Sequence, residues 1–413
     1  MPPTGRDTEG SVAFLMKVAE LLHSYGTPAF RLERVLLKVA SDLGIEASFL
    51  STPTAVIASV GEAPRRVVHL IRSDSGEVDL GKLVEFDETM DRVRDRELTP
   101  REGLERLEAI AGRGSRYPAA VGALAFAAAS AGAAVFFHGG PLEVLATLLL
   151  SLVTYLLARL SPGGHDAVGL FEPLAAFTTA SLAAAGAFWF GIDARIVTLA
   201  GLIVLVPGLT LTVGFIELAT RHLVSGMARL AGAGAVFLTL LFGVALGWRV
   251  VALIAGFEGG IATAFLPPRT TSELTAGWVW AAVLTAPFAF AIVLEARRSE
   301  FGVIFLASVL GYLAARFGAD RLGGDLGPFL GALVVGLVAN AYARLADRPA
   351  LVPLTPGIFM LVPGSLGFRS LTSFLDADAA AGTEWAFRTG LVAVSLVGGL
   401  LLSNLILPPR RVL

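Results

Sequence analysis

The 413 residues contain no cysteine. Disulfides, thiolate metal sites and cysteine nucleophiles are therefore excluded. Charge is scarce as well: 16% of the residues are charged against 55% hydrophobic, with a mean hydropathy of +0.72, too apolar for an ordinary soluble protein. A net charge of -2 gives no basic face, so no nucleic-acid partner is expected. The start, MPPTGRDTEG, lacks a basic end followed by an apolar core, so no secretory signal is read and the N-terminus is expected in the cytosol. What charge exists is unevenly placed. Residues 1–117 hold 16 Lys/Arg and 19 Asp/Glu, which is 35 of the 66 charged residues. A water-soluble N-terminal domain followed by a membrane domain is expected.

In the first part, SVAFLMKVAELLHSY (11–25) and PAFRLERVLLKVASDL (28–43) carry apolar residues at helical spacing, with Gly26 and Gly44 as stops. IEASFLS (45–51), TAVIASV (54–60) and RRVVHLI (65–71) read as short strands. Helices over 79–96 and 99–111 complete a small α+β unit, the second opened by Thr99-Pro100-Arg101-Glu102, an N-cap with proline at the first helical position.

From residue 118 the chain alternates apolar spans with short polar breaks, at 118–137, 142–158, 168–190, 196–215, 232–250, 276–294, 301–317, 327–345, 351–371 and 386–407. Residues 250–266 read as a re-entrant piece, as an extension of the fifth span, or as an eleventh span that would reverse the C-terminus. With the N-terminal domain in the cytosol, the cytosolic breaks hold Arg113, Arg116, Arg159, Arg221, Arg229, Arg297, Arg298, Arg344, Arg348, Arg410 and Arg411. The opposite side holds Arg195, Arg249, Arg269, Arg316, Arg321, Arg369 and Arg388. This excess follows the positive-inside rule.

The spans repeat. A shift of 156 lays Leu205-Val206-Pro207-Gly208 on Leu361-Val362-Pro363-Gly364 and Gly201 on Gly357. A shift of 157 lays Tyr155-Leu156-Leu157-Ala158-Arg159 on Tyr312-Leu313-Ala314-Ala315-Arg316 and Glu143 on Glu300. Each repeat has five spans, an odd number, so the second is expected to run in the opposite sense, the inverted arrangement of secondary transporters. The expected fold is an α-helical membrane protein of about ten spans in two inverted five-helix repeats, behind a cytosolic α+β domain. The boundaries are 1–115 for that domain, 116–255 for the first repeat, 256–275 for a connecting segment and 276–413 for the second repeat.

Proline removes a backbone donor and glycine weakens a helix, so the fourth and ninth spans should break at their Pro-Gly pairs. A break at mid-depth must face protein or a water-filled cavity. The half-helix beyond each break starts with free amides and a positive dipole end, suited to a carboxylate. Pro207, Gly208, Thr210, Thr212, Pro363, Gly364 and Ser365 are therefore the candidate substrate-binding residues. The alternative is that Gly201/Gly208 and Gly357/Gly364 only permit close helix packing. Intramembrane carboxylates are expensive unless paired or protonated, which makes Glu172 and Glu217 the candidates for proton coupling; an interfacial position reaching headgroup water is the alternative for both. Asn340 and Asn404 read as cavity walls or as an interhelical hydrogen bond. Arg369 reads as a carboxylate ligand or as a snorkelling arginine.

GTPAFRLERVL (26–36), LVPGLTLTVGFIELATRHLVSGMARL (205–230) and PLTPGIFMLVPGSLGFRSL (353–371), with the ten spans, resemble the threonine/serine exporter family. The resemblance runs from about residue 11 to 407 and is carried by the two LVPG segments and by Gly26, Arg31 and Glu33. It implies a fused form of two modules that elsewhere occur as separate polypeptides, a succinate exporter among them. It further implies export of small hydroxy amino acids driven by the proton motive force across a bacterial inner membrane, with N-terminal domain and C-terminus cytosolic. A dicarboxylate exporter is the alternative, since substrate identity does not follow from architecture. The expected partners are a small-molecule substrate and lipid; a homo-oligomer stays open, and no cofactor is called for. A membrane-anchored enzyme would draw on Glu20, His23, Arg31, Glu33 and His69. No nucleophile elbow, phosphate loop or metal-ligand spacing accompanies them, and they are read as helical surface charges.

Overall fold

The computed structural model describes residues 5–62, 64–73, 78–161, 169–256, 274–361, 364–375 and 378–409. Pro363, Arg269, Arg410, Arg411 and most of the connecting segment lie outside them, as do residues 257–266 of the stretch left open above.

The soluble domain begins with α1 (Gly5–Ser24) and α2 (Ala29–Asp42). Gly26 (φ 72°) and Gly44 (φ 68°) supply the left-handed turns after each. Strands β1 (Ala47–Thr52), β2 (Ala55–Val60) and β3 (Val67–Arg72) form an antiparallel sheet in that order. Helices α3 (Leu80–Arg94) and α4 (Pro100–Ala111) follow. Thr99 and Glu102 form a reciprocal capping box at the start of α4, each satisfying a backbone amide of the other. Phe14, Leu22, Leu32, Leu36, Phe86 and Leu107, all fully buried, join the helices into one core.

The membrane part continues as α5 (Ala119–Phe136), α6 (Pro141–Leu160), α7 (Phe171–Phe190), α8 (Ala194–Gly201), α9 (Gly208–Ala219) and α10 (Leu223–Ile254). Then come α11 (Ala276–Val293), α12 (Phe301–Leu322, entered through a 3-10 turn at Arg298–Glu300), α13 (Gly327–Leu345), α14 (Leu351–Phe359), α15 (Gly364–Leu375) and α16 (Ala379–Ile406). Among the described residues nine stretches are long and apolar enough to cross a membrane. The fourth expected span is instead two short helices, α8 and α9, parted at Pro207; α14 and α15 part at the matching place. The fifth span is longer than expected, because α10 continues through Val250 to Ile254.

The packing partners of the two sets correspond. Helix α7 packs on α10 as α13 does on α16, and α8 touches α5, α6 and α7 as α14 touches α11, α12 and α13. Across the sets, α5 meets α11, α9 meets α16, and α15 meets α10. Side chains explain the closest crossings. A Cβ on Gly243 would collide with the Pro173 carbonyl, and one on Gly399 with the Phe329 carbonyl; both residues of the second pair lie 156 positions after their counterparts in the first. At these points only glycine lets the helix backbones touch.

The soluble domain is fixed to one face of the membrane part, here the domain face. The first amides of α3, on Leu80 and Gly81, donate to the last carbonyls of the α11 end, on Leu294 (2.9 Å) and Glu295 (3.1 Å). Arg297 holds Glu88 of α3 with two hydrogen bonds of 2.7 and 3.0 Å, and Arg348 adds a third at 2.5 Å. Such forked arginine–carboxylate contacts orient as well as attract.

Candidate functional site

Helix α8 ends at Gly201 and α9 starts at Gly208, so six residues between them are not helical. Pro207 occupies the N-cap of α9, where its missing amide donor costs nothing. In the second set α14 ends at Phe359 and α15 starts at Gly364. The two breaks meet: a Cβ on Gly364 would lie 2.9 Å from Val206 Cγ1 and 3.3 Å from the Gly208 Cα. Backbone therefore faces backbone, and two half-helices begin at one point, each with amides that have no intrahelical acceptor.

A cavity lies on either side of this meeting point. The domain-face cavity, about 90 Å³, is lined by Thr212 of α9, Asn340 of α13, Thr355 of α14, Ser403 and Asn404 of α16, and by Thr27 and Arg31 of the soluble domain. Asn340 donates to Asn404 at 2.9 Å, so the two asparagines act as cavity wall and interhelical bond together. Thr212 Oγ1 donates back to the Gly208 carbonyl at 3.1 Å, tying the wall to the break. The volume holds several waters or the polar end of a small molecule. The distal cavity, about 340 Å³, is lined by Arg195 of α8 and by Arg369 and Thr372 of α15, among aromatic rings. The Arg369 guanidinium stands 5.5 Å from the Phe137 ring and 5.8 Å from the Trp385 ring, so it faces a cavity rather than snorkelling to a lipid headgroup.

Glu217 lies on α9 beyond the cavity-lining Thr212, Val213 and Ile216, at the soluble-domain end of that helix. It is fully buried and one oxygen accepts from the Ala29 backbone amide at 2.8 Å, the first residue of α2. Both oxygens accept from Arg229 Nε at 3.1 Å. A carboxylate from the end of a membrane half-helix thus caps a helix of the soluble domain, an arrangement favoured by the positive end of α2. The loop before that cap, Gly26 to Pro28, lies over the cavity mouth.

Of the residues singled out in the sequence, Thr212, Asn340 and Asn404 are brought together around the domain-face cavity. Gly208 and Gly364 meet each other but do not line that cavity, and Pro207 caps α9. Thr210 and Ser365, both half-buried, line neither of these two cavities. Glu172 sits half-buried in the first turn of α7 and lines neither. Two residues read as surface charges are not at the surface: His23 is 1% and Arg31 8% exposed. His23 Nε2 bonds the Pro53 carbonyl at 3.0 Å, and Arg31 is covered by the membrane part. Helical periodicity does not reveal such burial when the covering surface is remote in sequence.

Sequence reasoning used Glu143 and Glu300 only as repeat markers, yet both are buried. Glu143, in the first turn of α6, accepts the Asp193 amide at 3.0 Å. Glu300, just before α12, accepts the Tyr342 hydroxyl. Glu143 thereby ties α6 to the N-cap of α8, and Glu300 ties the start of α12 to the last turn of α13. A carboxylate opening an apolar run was the available signal.

The sequence of residues 13–251 matches a family described as "Putative threonine/serine exporter", and residues 278–406 match "Threonine/Serine exporter, ThrE". Similar curated proteins include "Pheromone-regulated membrane protein 10" of Candida albicans, 26% identical over 86% of this chain and 33% of the relative. The protein of that name from Saccharomyces cerevisiae is 28% identical over 90% of this chain and 48% of the relative. That from Pichia sorbitophila is 26% identical over 88% and 37%. The chain therefore spans between a third and a half of the length of these relatives. No solved structure matches.

Proposed function

The chain belongs to the threonine/serine exporter family, and from that premise we propose that it is a secondary transporter exporting small hydroxy amino acids, coupled to the proton motive force. The observation that carries the reading is the meeting of two broken helices, Gly208 against Gly364, with a cavity on each side. Alternating access needs a partition between two vestibules, and the two breaks lie between these cavities, one lined from α9 and α14 and the other from α8 and α15. The inverted repeat is part of the proposal. Its support is that Tyr117, just before α5, donates to the carbonyl of Ala296, just after α11, at 2.5 Å. The first helix of one half thus starts where the first helix of the other ends, as expected if matched helices run in opposite directions.

In this reading the substrate moves between the cavities past the two half-helix N-termini, whose free amides and dipoles attract its carboxylate. Pro207, Gly208 and Thr212, with Gly364, form the partition; Thr210 and Ser365 stand in the first turns beyond it, and Pro363, outside the described residues, is kept as a candidate from the sequence. Glu217 is the proton-coupling residue the geometry favours. Its protonation would weaken its hold on Arg229 and on the Ala29 amide, and so release the start of α2 from the cavity mouth. Glu172 is the alternative proton site. The arginine distribution supports a cytosolic soluble domain and C-terminus. A dicarboxylate is the second substrate reading, favoured by Arg195 and Arg369 facing one cavity.

The test is uptake into liposomes holding the purified chain, under an imposed pH gradient, with labelled threonine, serine and succinate offered separately. Saturable, gradient-driven movement of one of them is expected, and its identity selects the substrate. Glu217→Gln or Glu172→Gln should flatten the pH dependence of transport, whichever carries the proton. Normal transport after replacing both Pro207-Gly208 and Pro363-Gly364 by Leu-Ala would remove the broken helices from the mechanism.

A further inference from the structure

Arg31 is an arginine of the soluble domain that is 8% exposed and lines the domain-face cavity. Its Nη1 is buried without a hydrogen-bond partner, and no carboxylate among the described residues pairs with it. The acids in its neighbourhood are already engaged. Glu33 accepts the Ser51 amide at 2.8 Å and lies 3.5 Å from His222; Glu217 is held by Ala29 and Arg229. The charged neighbour that acts on Arg31 is Arg34, of like sign, and burial together with Arg34 pulls its guanidinium down to about 10.

Two more polar groups from the same loop share this condition. Thr27, 2% exposed, and Tyr25 both have buried hydroxyl oxygens without partners, and both line the same cavity. Buried polar groups in folded proteins are nearly always bonded, and a buried unpaired cation is the most costly exception. Here three unsatisfied groups converge on one cavity, and the strongest is a donor fork. Opposite them, the side chains of Thr212, Thr355 and the paired Asn340 and Asn404 offer neutral polar contacts. The site is therefore cationic at the soluble-domain end and neutral at the membrane end.

We propose that Arg31 and Thr27 bind the carboxylate of the transported solute, so that the soluble domain contributes half of the domain-face substrate site. The inference rests on the transport reading above and sharpens it: the ligand is a small carboxylate with its polar remainder toward Thr212 and Asn340. A guanidinium presents two parallel donors to a carboxylate, which an ammonium does not, so lysine is a poor replacement. Loading the cavity supplies the missing counter-charge at Arg31, on the helix whose first amide Glu217 holds.

Thermal unfolding of the purified full chain in detergent tests this, with L-threonine, L-serine, succinate and L-threoninol, which lacks the carboxylate, as probes. At least one carboxylate should raise the wild-type melting temperature, while threoninol should not. Arg31→Met, which removes an unpaired buried charge, should melt no lower than wild type without ligand and should lose the carboxylate-dependent rise. Arg31→Lys and Thr27→Val should each weaken binding tenfold or more, and they carry the test if Arg31→Met does not fold. The inference is overturned if no carboxylate stabilises the wild type, if threoninol stabilises as well as threonine, or if the Arg31 variants respond like wild type. The liposome assay separates the two readings, since gradient-driven transport with an unchanged KM in Arg31→Lys would keep the transporter and remove Arg31 from its site.

Discussion

Glu217 is fully buried, so its energetics depend on its partners. Removing one member of a buried ion pair leaves the other charged and unpaired, which typically costs ~3–5 kcal/mol. Glu217→Gln should therefore lower the melting temperature markedly, and adding Arg229→Met should recover a large part of the loss; thermal unfolding of the two variants measures both. Gly364 can be changed more subtly. Its missing side chain keeps Val206 and the Gly208 backbone in contact, and those neighbours are not the far ends of flexible chains. Gly364→Ala should slow transport severely while membrane insertion, read by yield and monodispersity, stays normal. Gly208, Gly364 and Glu217 stand out through composition alone, because a proline, a glycine or a carboxylate in an apolar run breaks the local rule. Arg31 and Thr27 break no rule. On an amphipathic helix of a soluble domain an arginine looks solvated, and only the cavity beneath it, lined by residues some 180 to 370 positions away, removes the solvent.

Among the elements, those governed by local chemistry are the most legible. Glycine stops, the Thr99 capping box and the alternation of the three short strands are all local patterns, and together they order the elements of the soluble α+β domain. The membrane spans follow from length and hydropathy, and the breaks from Pro-Gly. The docking of α3 could not be read, because its partners Leu294, Glu295, Arg297 and Arg348 lie more than 200 residues downstream. Glu88 titrates at the centre of that junction. The hydrogen bond from Arg297 first, opposed next by burial, and then the charge of Arg297 and the hydrogen bond and charge of Arg348 together hold its carboxyl below the usual range. Because the folded-state value is depressed, the stabilisation is present at pH above the ordinary carboxylate value of ~4.3 and fades as pH falls through the depressed value. Hydrogen exchange in α3 should accelerate over that acidic interval. Glu88→Gln should give the faster exchange already at neutral pH, and an unchanged rate would remove Glu88 from the junction.

At the level of the whole molecule, the constant offset near 156 is visible in the sequence, and the mirrored helix packing agrees with it down to Gly243 and Gly399. The offset could not indicate that the two breaks touch, since register within a repeat says nothing about contact between repeats. The family matches end at residue 251 and resume at 278, while α5 packs on α11 and the soluble domain grips Arg297 and Arg348. Residues 1–256 and 274–413 made as two chains should therefore assemble, and co-purification through a tag on one of them checks it. Recovery of the tagged half alone would mean that the connection, rather than the interface, holds the halves together.

The contact between Gly208 and Gly364 has an electrical consequence. Where aqueous vestibules enter from both faces, a transmembrane voltage falls mainly across the dry layer between them, and that layer contains the contact of Gly208 with Gly364. An elementary charge carried across the full potential exchanges ~2.3 kcal/mol per 100 mV, and a field focused on that layer delivers most of it as the charge passes the two breaks. Any net charge crossing with the substrate should therefore make the transport rate steeply voltage-dependent, a dependence that liposomes clamped with potassium and valinomycin would reveal.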